Sequence, residues 1–420
     1  MVNGVMAQWV PQNSGTTKIL TSVYFTDANI GYAVGGNGTI LKTTNGGTDW
    51  ESQNSGTSVN LISVHFPQPD TGYAIGSPQG YLSLTAILKT TDSGVNWTTQ
   101  HDSLGVRLNS IYFTDASTGY AVGENGVILK TTDGGINWIP QNSGTNYHLS
   151  SVHFPAVDTG FFVVDDNNSK VIKIFKTVDG GESWIEKYSD SITGSTAWGG
   201  LSSVHFPDVN TGYAVGHRCS PSGCLGLIRK TNDGGSDWIN IDSLSGGTLC
   251  IPNIRSVYFT DANTGYIVGD YTHYPITQGY IQMTIDGGTN WTTQYDNVGV
   301  KFTSIYFPCY DTGYAVGLNQ NDNTGFILKT TNGGYPTGTI DFSSKLSPLK
   351  IYRNPTSTSI TFETPTKGYL NILNLNGQVI LQQEITESKS TFDISILASG
   401  VYIVELVGVK WVQVGKFIKK

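Results

Sequence analysis

The sequence predicts an all-β protein, a seven-bladed β-propeller followed by a small Ig-like β-sandwich. The 420 residues include 51 glycines but only 13 % charged residues, a composition typical of short strands joined by turns and not of a helical bundle. A unit that begins Ser-Val-Tyr-Phe and ends Gly-Tyr-Ala-Val-Gly recurs, with variation, seven times. After Gly334 this pattern stops, and a second series of strand patterns follows a polar linker.

The repeated unit sets the size of each predicted blade. Its copies begin at Ser22, Ser63, Ser110, Ser151, Ser203, Ser256 and Ser304. The glycines of their Gly-Tyr or Gly-Phe pairs lie 41 to 53 residues apart. Four short strands fit in this spacing, which is the size of one propeller blade, so seven copies predict seven blades.

The two ends of the repeat region are predicted to close the ring. Six of the turns that follow the third strands end in tryptophan: Trp50, Trp97, Trp138, Trp184, Trp238 and Trp291. The seventh turn, at 330–335, has no tryptophan, but the stretch from Trp9 matches those after Trp50 and Trp138. We therefore expect the N-terminal strand to be the outer strand of the last blade, which removes a free sheet edge.

Four segments follow from these patterns. Residues 1–8 are compatible with the end of a signal peptide cleaved after Ala7. The propeller is predicted over 9–335, a linker over 336–347 and the C-terminal domain over 348–420. In the C-terminal domain we expect strands at 359–363, 368–373, 378–383 and 400–406, the number and spacing of a small sandwich.

The charge distribution argues against nucleic acid and anionic membranes as partners. From Asp341 onward there are 9 basic and 6 acidic residues, which leaves 15 basic and 26 acidic residues in the first 340. An acidic main body does not attract polyanions. No apolar run approaches the roughly 20 residues of a membrane-spanning helix. We expect a monomer without a transmembrane segment, a cofactor or a metal ion.

The turn after each third strand resembles the Asp-box (BNR) repeat, Ser/Thr-x-Asp-x-Gly-x-Thr-Trp. Four copies keep its aspartate, the glycine pair and its tryptophan, with Asp133 and Trp138, Asp179 and Trp184, Asp233 and Trp238, and Asp286 and Trp291; in the second copy Ser93 replaces the first glycine. Asn45 and Asn332 replace the aspartate in the first and last copies. An Asx side chain here accepts backbone N–H bonds across the hairpin, so we expect a structural and not a catalytic role.

The first 340 residues resemble the Asp-box propellers, a group that includes sialidases, xyloglucan hydrolases, sortilin-type receptors and photosystem II assembly factors. The regular Gly-Tyr-Ala-Val-Gly strand is most similar to the photosystem-assembly type. The resemblance implies the fold and leaves the activity open, because one fold carries many functions.

The C-terminal 75 residues resemble the type A sorting domain of the Bacteroidota type IX secretion system. The matching pieces are Tyr-Arg-Asn-Pro-Thr at 352–356, Leu-Asn-Gly-Gln at 375–378, Leu-Ala-Ser-Gly-Val-Tyr-Ile-Val at 397–404 and the basic end at 416–420, with Arg353 in place of the usual proline. The resemblance implies export, the type IX machinery as partner, and a secreted or outer-membrane surface-attached product. A role in photosystem assembly conflicts with this destination.

The cysteines agree with an exported protein. Cys219 and Cys224 lie close enough in sequence to close one loop as a disulfide in an oxidising compartment. Cys250 and Cys309 are predicted on opposite faces, which disfavours a bridge between them. Zinc held by His217 and nearby cysteines is the weaker alternative.

Functional residues are expected on the face where loop lengths vary, opposite the Asp-box turns. The longest loops fall in blades 4 to 6, at 187–200, 217–226, 242–253 and 270–280. They carry the aromatic and histidine ligand-binding candidates Tyr188, Trp198, Tyr271, His273, Tyr274 and Tyr280. The alternative is that these rings only pack the loops onto the blades.

Two enzyme classes can be weighed against these residues. A sialidase needs three arginines around the substrate carboxylate, and the propeller has only Arg107, Arg218, Arg229 and Arg255, without the family's Arg-Ile-Pro element. A glycoside hydrolase needs two carboxylates flanking the scissile bond. Asp190, Asp242 and Asp270 are the weak catalytic candidates, and no pair among them is singled out.

The sequence therefore predicts an exported propeller that binds a glycan or a surface protein through the variable loops of blades 4–6. The alternative is a secreted polysaccharide hydrolase that uses the same face.

Overall fold

The computed structural model describes residues 9–77, 84–104, 106–165, 170–192, 198–220, 223–241, 251–273, 276–334, 351–352, 356–363, 368–373, 379–385, 389–408 and 411–420. Within these ranges the regular structure is β-strand, apart from two short 3-10 turns at Gly36–Gly38 and Glu124–Gly126. The chain divides into two compact units, one up to Thr337 and one from Gly338 onward. The described residues contain no helix long and apolar enough to cross a membrane.

Seven four-stranded antiparallel sheets, called blades 1 to 7 below, build the first unit. Blade 1 contains β2 (Leu20–Phe25), β3 (Gly31–Gly35), β4 (Ile40–Thr43) and β5 (Glu51–Gln53); blade 2 contains β6 (Asn60–His65), β7 (Gly72–Ser77), β8 (Leu84–Thr90) and β9 (Thr98–Leu104). Blade 3 contains β10 (Leu108–Phe113), β11 (Gly119–Gly123), β12 (Val127–Thr131) and β13 (Ile139–Asn142); blade 4 contains β14 (Leu149–His153), β15 (Gly160–Val164), β16 (Val171–Thr177) and β17 (Ile185–Ser191). Blade 5 contains β18 (Trp198–His205), β19 (Gly212–Ser220), β20 (Gly223–Thr231) and β21 (Ile239–Asn240); blade 6 contains β22 (Ile251–Phe259), β23 (Gly265–His273), β24 (Ile276–Thr284) and β25 (Thr292–Val298). Blade 7 contains β26 (Val300–Tyr306), β27 (Gly313–Asn319), β28 (Thr324–Thr330) and, as its outer strand, β1 (Val10–Gln12).

The second strand of each blade explains the repeated Gly-Tyr-Ala-Val-Gly sequence. In blades 1 and 3 this strand is buried along its whole length, because neighbouring blades cover both of its faces. Its first glycine is required by packing: a Cβ on Gly31 would lie 2.4 Å from the ring of Phe25. Tyr32 then stacks on Phe66 of blade 2, with ring centroids 4.0 Å apart.

The predicted ring closure is confirmed. Strand β1 pairs with β28, with Val10 opposite Lys329. Trp9 is 5 % exposed and packs edge-on against Phe307 at 6.1 Å, as Trp50 packs against Phe25 at 5.9 Å in blade 1. The N-terminal strand thus supplies the tryptophan that the seventh turn lacks.

The Asp-box turns are held by their own polar side chains. In blade 3, Asp133 Oδ1 accepts bonds from the Thr131 hydroxyl and from the backbone N–H of Asn137, both at 2.9 Å. Gly134 and Gly135 have φ values of 68° and 84°, which favour glycine. Hydrogen bonding to the Asn137 backbone lowers the pKa of Asp133. The carboxylate is therefore occupied in maintaining the turn.

The second unit forms two facing sheets. One contains β29 (Ile351–Tyr352), β30 (Ser359–Glu363) and β33 (Lys389–Asp393); the other contains β32 (Val379–Ile385), β31 (Gly368–Leu373), β34 (Gly400–Gly408) and β35 (Trp411–Lys419). Their shared core takes buried side chains from both sheets: Ile360, Phe362 and Phe392 from the first, and Leu370, Ile372, Tyr402, Val404 and Phe417 from the second. This is the sandwich that the strand spacing predicts.

Candidate functional site

Seven aromatic rings, one from each inner strand, form a closed circle at the centre of the propeller. Neighbouring ring centroids are 4.5 to 5.2 Å apart around the circle of Tyr24, His65, Tyr112, His153, His205, Tyr258 and Tyr306. Burial lowers the pKa of His65 to about 3 and that of His153 to about 4, so both imidazoles are neutral. The circle has the character of a core and not of a ligand site.

The face opposite the Asp-box turns differs between blades. Strands β19, β20, β22, β23 and β24 each have nine residues, whereas β11 and β12 in blade 3 have five, so blades 5 and 6 extend further on this face. At blades 7, 1 and 2 the structure has a cavity of about 390 Å³, which is lined by polar and apolar side chains, among them Thr17, Lys18, Ile19 and Asn60.

One position of each blade marks the start of this extension. It is the residue directly after the Gly-Tyr-Ala-Val-Gly segment, here called the rim position, and in chain order it is Gly36, Ser77, Glu124, Asp165, His217, Asp270 and Leu318. Only blades 3 to 6 have titratable residues there. Glu124 lies 3.7 Å from Arg107 Nε and 3.9 Å from His148 Nδ1. The titratable residues of the rim position are therefore confined to blades 3 to 6.

Blade 6 places a buried aspartate beside a half-exposed arginine. Asp270, in β23, has no exposed side-chain surface, while the Arg255 side chain in β22 is 43 % exposed. Arg255 Nε donates to Asp270 Oδ1 at 2.7 Å, and the Asn253 amide donates to Oδ2 at 3.3 Å. A buried carboxylate is tolerated only when it is paired and hydrogen-bonded, as Asp270 is here.

His217 and Tyr280 lie next to this pair. Burial and the charge of Arg255 lower the pKa of His217 to about 4, and burial raises the pKa of Tyr280, with Asp270 adding to the effect. Both groups are thus neutral. His217 Nε2 and Tyr280 Oη are buried and have no hydrogen-bond partner among the residues that the structure describes.

Two further aromatic rings border the same place. Trp198, at the start of β18, is 38 % exposed and stands edge-on to His217 with ring centroids 4.8 Å apart. Tyr271 is half-buried and lies 4.5 Å from the ring of Tyr280. Arg255, Asp270, His217, Tyr280 and Trp198 are called the blade 5–6 cluster below.

Two other predicted site residues, Tyr188 and Asp190, are engaged by Arg229 and are not part of the blade 5–6 cluster. Tyr188 and Asp190 lie on β17 and contact the buried Arg229 of β20: Arg229 Nε donates to Tyr188 Oη at 2.8 Å, and Asp190 Oδ2 is 3.9 Å from its Nη2. These contacts brace blade 4 against blade 5. Asp242, Tyr274 and the side chain of His273 lie outside the described residues.

The cysteines of blade 5 border the cluster. Cys219 is disulfide-bonded and buried. Across the β19–β20 hairpin it is in register with Cys224, whose side chain is outside the described residues, and on its other side with Trp198. Cys309 is a free, exposed thiol. No three histidine, cysteine or acidic side chains in the described ranges are placed to share a metal ion.

Two residues of this region, Arg255 and Asn253, were missing from the sequence-based binding candidates, and His217 was considered only as a zinc ligand. Comparison of the seven repeats could have identified Arg255. The position of Arg255 is Thr21, Ile62, Asn109, Ser150, Ser202 and Thr303 in the other blades, so Arg255 is its only charged residue. Tyr280, by contrast, was expected on an exposed loop and is fully buried within β24.

Comparison with protein families agrees with the two units. The model described as photosynthesis system II assembly factor YCF48 matches residues 2–108 and 95–187, and the model described as secretion system C-terminal sorting domain matches residues 350–420. The chain is an Asp-box propeller with a type IX sorting domain. The sorting domain indicates secretion and cell-surface attachment.

Solved structures resemble this propeller in fold. YCF48 bound to D1 peptide is 19 % identical, with a TM-score of 0.58, and the match covers 78 % of this chain and 99 % of the other. YCF48 from Cyanidioschyzon merolae is 21 % identical, with a TM-score of 0.57 and coverage of 77 % and 98 %. The GH74 enzyme of Niastella koreensis is 15 % identical, with a TM-score of 0.55 and coverage of 84 % and 59 %. No curated protein matches the sequence.

Proposed function

We propose that this exported propeller is a binding module that takes a glycan on the variable face of blades 4–6. The observation that carries the proposal is the exposed ring of Trp198 against His217, whose own neighbours are Arg255 and Asp270. Sugar recognition needs an aromatic surface for the apolar face of the ring and oriented polar groups for its hydroxyls. Both lie together in the blade 5–6 cluster.

The alternative of a hydrolase finds less support in the carboxylates. Asp270 is fully buried and engaged by Arg255 and Asn253, and Asp190 faces Arg229 on an outer strand. A hydrolase needs one acid able to protonate the leaving group and a second carboxylate across the scissile bond, roughly 5 to 10 Å away. Asp270 is inaccessible, and Asp190, although partly exposed, lies 3.9 Å from the guanidinium of Arg229 on the outer strand.

The fold neighbours suggest which ligands to test. One neighbour is described as a GH74 xyloglucanase from Xanthomonas campestris and another as YCF48 bound to D1 peptide. Plant and bacterial polysaccharides are therefore the first ligands to screen, and peptides of surface proteins are the competing class.

The test is a glycan-array screen of the full chain, followed by titration calorimetry and a reducing-sugar assay on each glycan that binds. We expect binding without release of sugar, and loss of affinity in Trp198→Ala. The matched control is Tyr310→Ala, which removes an exposed ring, 54 % exposed, from a short turn on the Asp-box face. Released reducing sugar would overturn a binding-only role. Binding of peptides with no binding of any glycan would overturn the glycan proposal.

A further inference from the structure

The side chain of Arg255 departs from the role that its position has elsewhere in the ring. In blades 1, 3, 4 and 7, the hydroxyl or amide at this position donates to a backbone carbonyl of the neighbouring inner strand, as Thr21 does to Leu61 at 2.6 Å and Asn109 to Leu149 at 2.8 Å. Arg255 instead turns to Asp270 of its own blade. Arg255 therefore does not make the contact between inner strands that this position makes in those four blades.

Asp270 fixes the orientation of the guanidinium. It engages Arg255 through Nε, and the second carboxylate oxygen is taken by Asn253. The two Nη groups are the opposite edge of the planar guanidinium, on a side chain that is 43 % exposed. This edge presents parallel N–H donors in the fork that matches a carboxylate. Asp270 is in this sense a positioning residue.

The groups beside Arg255 bring no competing charge. Burial keeps Tyr280 protonated and, with the charge of Arg255, lowers the pKa of His217, so both groups are neutral. Tyr280 Oη and His217 Nε2 are themselves buried, so ligand contact at this place falls to the half-exposed Arg255 side chain and to Trp198.

We infer that the blade 5–6 cluster recognises a carboxylate-bearing sugar, a uronate, through the outward edge of Arg255, with Trp198 against the sugar ring. This inference rests on the proposed glycan-binding function. Neutral sugars offer only hydroxyl oxygens, which are weaker acceptors than a carboxylate for a guanidinium fork. The expected ligand is therefore a uronate-containing polysaccharide.

The test compares one polymer in two forms. Oligogalacturonate and its carboxyl-reduced derivative share linkage and length and differ only in the charged group. For the full chain, calorimetry should show affinity for oligogalacturonate roughly 10- to 100-fold higher than for the reduced form, the range for a hydrogen bond to a charged group. Equal affinity for both forms would overturn the uronate assignment and leave glycan binding intact, whereas failure on every glycan would overturn the proposed function.

Substitutions test which residue of the cluster recognises the carboxylate of the sugar. Arg255→Gln should lower affinity for oligogalacturonate and abolish the preference over the reduced form. The double variant Arg255→Gln with Asp270→Asn avoids a buried unpaired charge and should behave like Arg255→Gln. Arg107→Gln, which removes an exposed arginine of blade 3, is the matched control and should bind normally. A preference that survives in the folded double variant would overturn the assignment to Arg255.

Discussion

The hydroxyl of Tyr314 in blade 7 donates a hydrogen bond of 2.7 Å to the carbonyl oxygen of Gly46 in the Asp-box turn of blade 1. Lys329 Nζ donates to the same carbonyl. Tyr73 and Lys89 of blade 2 hold the Gly134 carbonyl of blade 3 in the same way, at 2.7 and 2.6 Å. The box turns therefore clamp each blade to the one before it, and the ring closes with the contact used between other blades.

The hydrogen bond from Tyr73 to Gly134 should contribute measurably to the free energy of unfolding. Tyr73→Phe removes the donor to Gly134 and leaves Lys89 in place, so we expect a loss of about 1 kcal/mol in the free energy of unfolding. Urea denaturation of the full chain measures it. The control is Tyr295→Phe, which removes a hydroxyl that accepts an exposed hydrogen bond from Asn297 and should cost less. Blade 4 has Phe161 at the equivalent position, so a cost near zero for Tyr73→Phe would show that lysine alone maintains the clamp.

Because the N-terminal strand closes the ring, Trp9 should contribute as much to the free energy of unfolding as a tryptophan of an internal blade. Trp9→Ala removes a ring that is 5 % exposed, and we expect a loss of about 3 to 5 kcal/mol, the range for large core aromatics. Trp50→Ala, in the same place of blade 1, should cost a similar amount. A tolerated Trp9→Ala beside a damaging Trp50→Ala would mean that β1 contributes little to blade 7.

The blade contacts and the ring closure are predictable because their signals are local and repeated. Glycine, aromatic and tryptophan positions recur at fixed offsets, so the repeat pattern by itself assigns Trp9 to the last blade. The blade 5–6 cluster is different, because Arg255 and Asp270 lie 15 residues apart on two strands and meet only through strand register. Tyr280 illustrates the same limit: its strand is longer than the third strand of blade 1, which turns an expected loop residue into a buried one.

The three histidines of the central circle predict acid sensitivity. Burial holds the pKa of His65 at about 3 and that of His153 at about 4, and it also lowers the pKa of His205. The unfolded chain, with histidine pKa values near 6.5, binds more protons than the folded chain below that pH. Stability should therefore fall as the pH drops from about 6.5 toward 4, by up to about 1.4 kcal/mol per pH unit for each histidine.

Unfolding in urea between pH 7.5 and 4.5 checks this window. The matched variant replaces His65, His153 and His205 together by tyrosine, the residue that the other four blades use at this position. Its stability should fall only about a quarter as steeply, because His217, with a pKa of about 4, is then the one depressed histidine left among the four, and the box carboxylates such as Asp179, with a pKa of about 2, titrate at lower pH. An equally steep loss in the triple variant would assign the acid sensitivity to other groups.

The disulfide of Cys219 predicts a specific link. Strand register places Cys224 directly across the hairpin from Cys219, so we expect peptide mapping without reduction to recover a Cys219–Cys224 pair. Cys309 should be alkylated in the native protein, since it is exposed and free. A Cys219–Cys250 link would contradict the register argument.

Breaking this link tests whether it supports the blade 5–6 cluster. Cys219→Ser should lower the free energy of unfolding by about 2 kcal/mol, the value for a short closed loop. Because Cys219 is also in register with Trp198, the variant should weaken binding of any glycan that Trp198→Ala weakens. Cys309→Ser is the matched control and should change neither quantity. Full affinity in folded Cys219→Ser would show that the β18–β19 pairing alone positions Trp198.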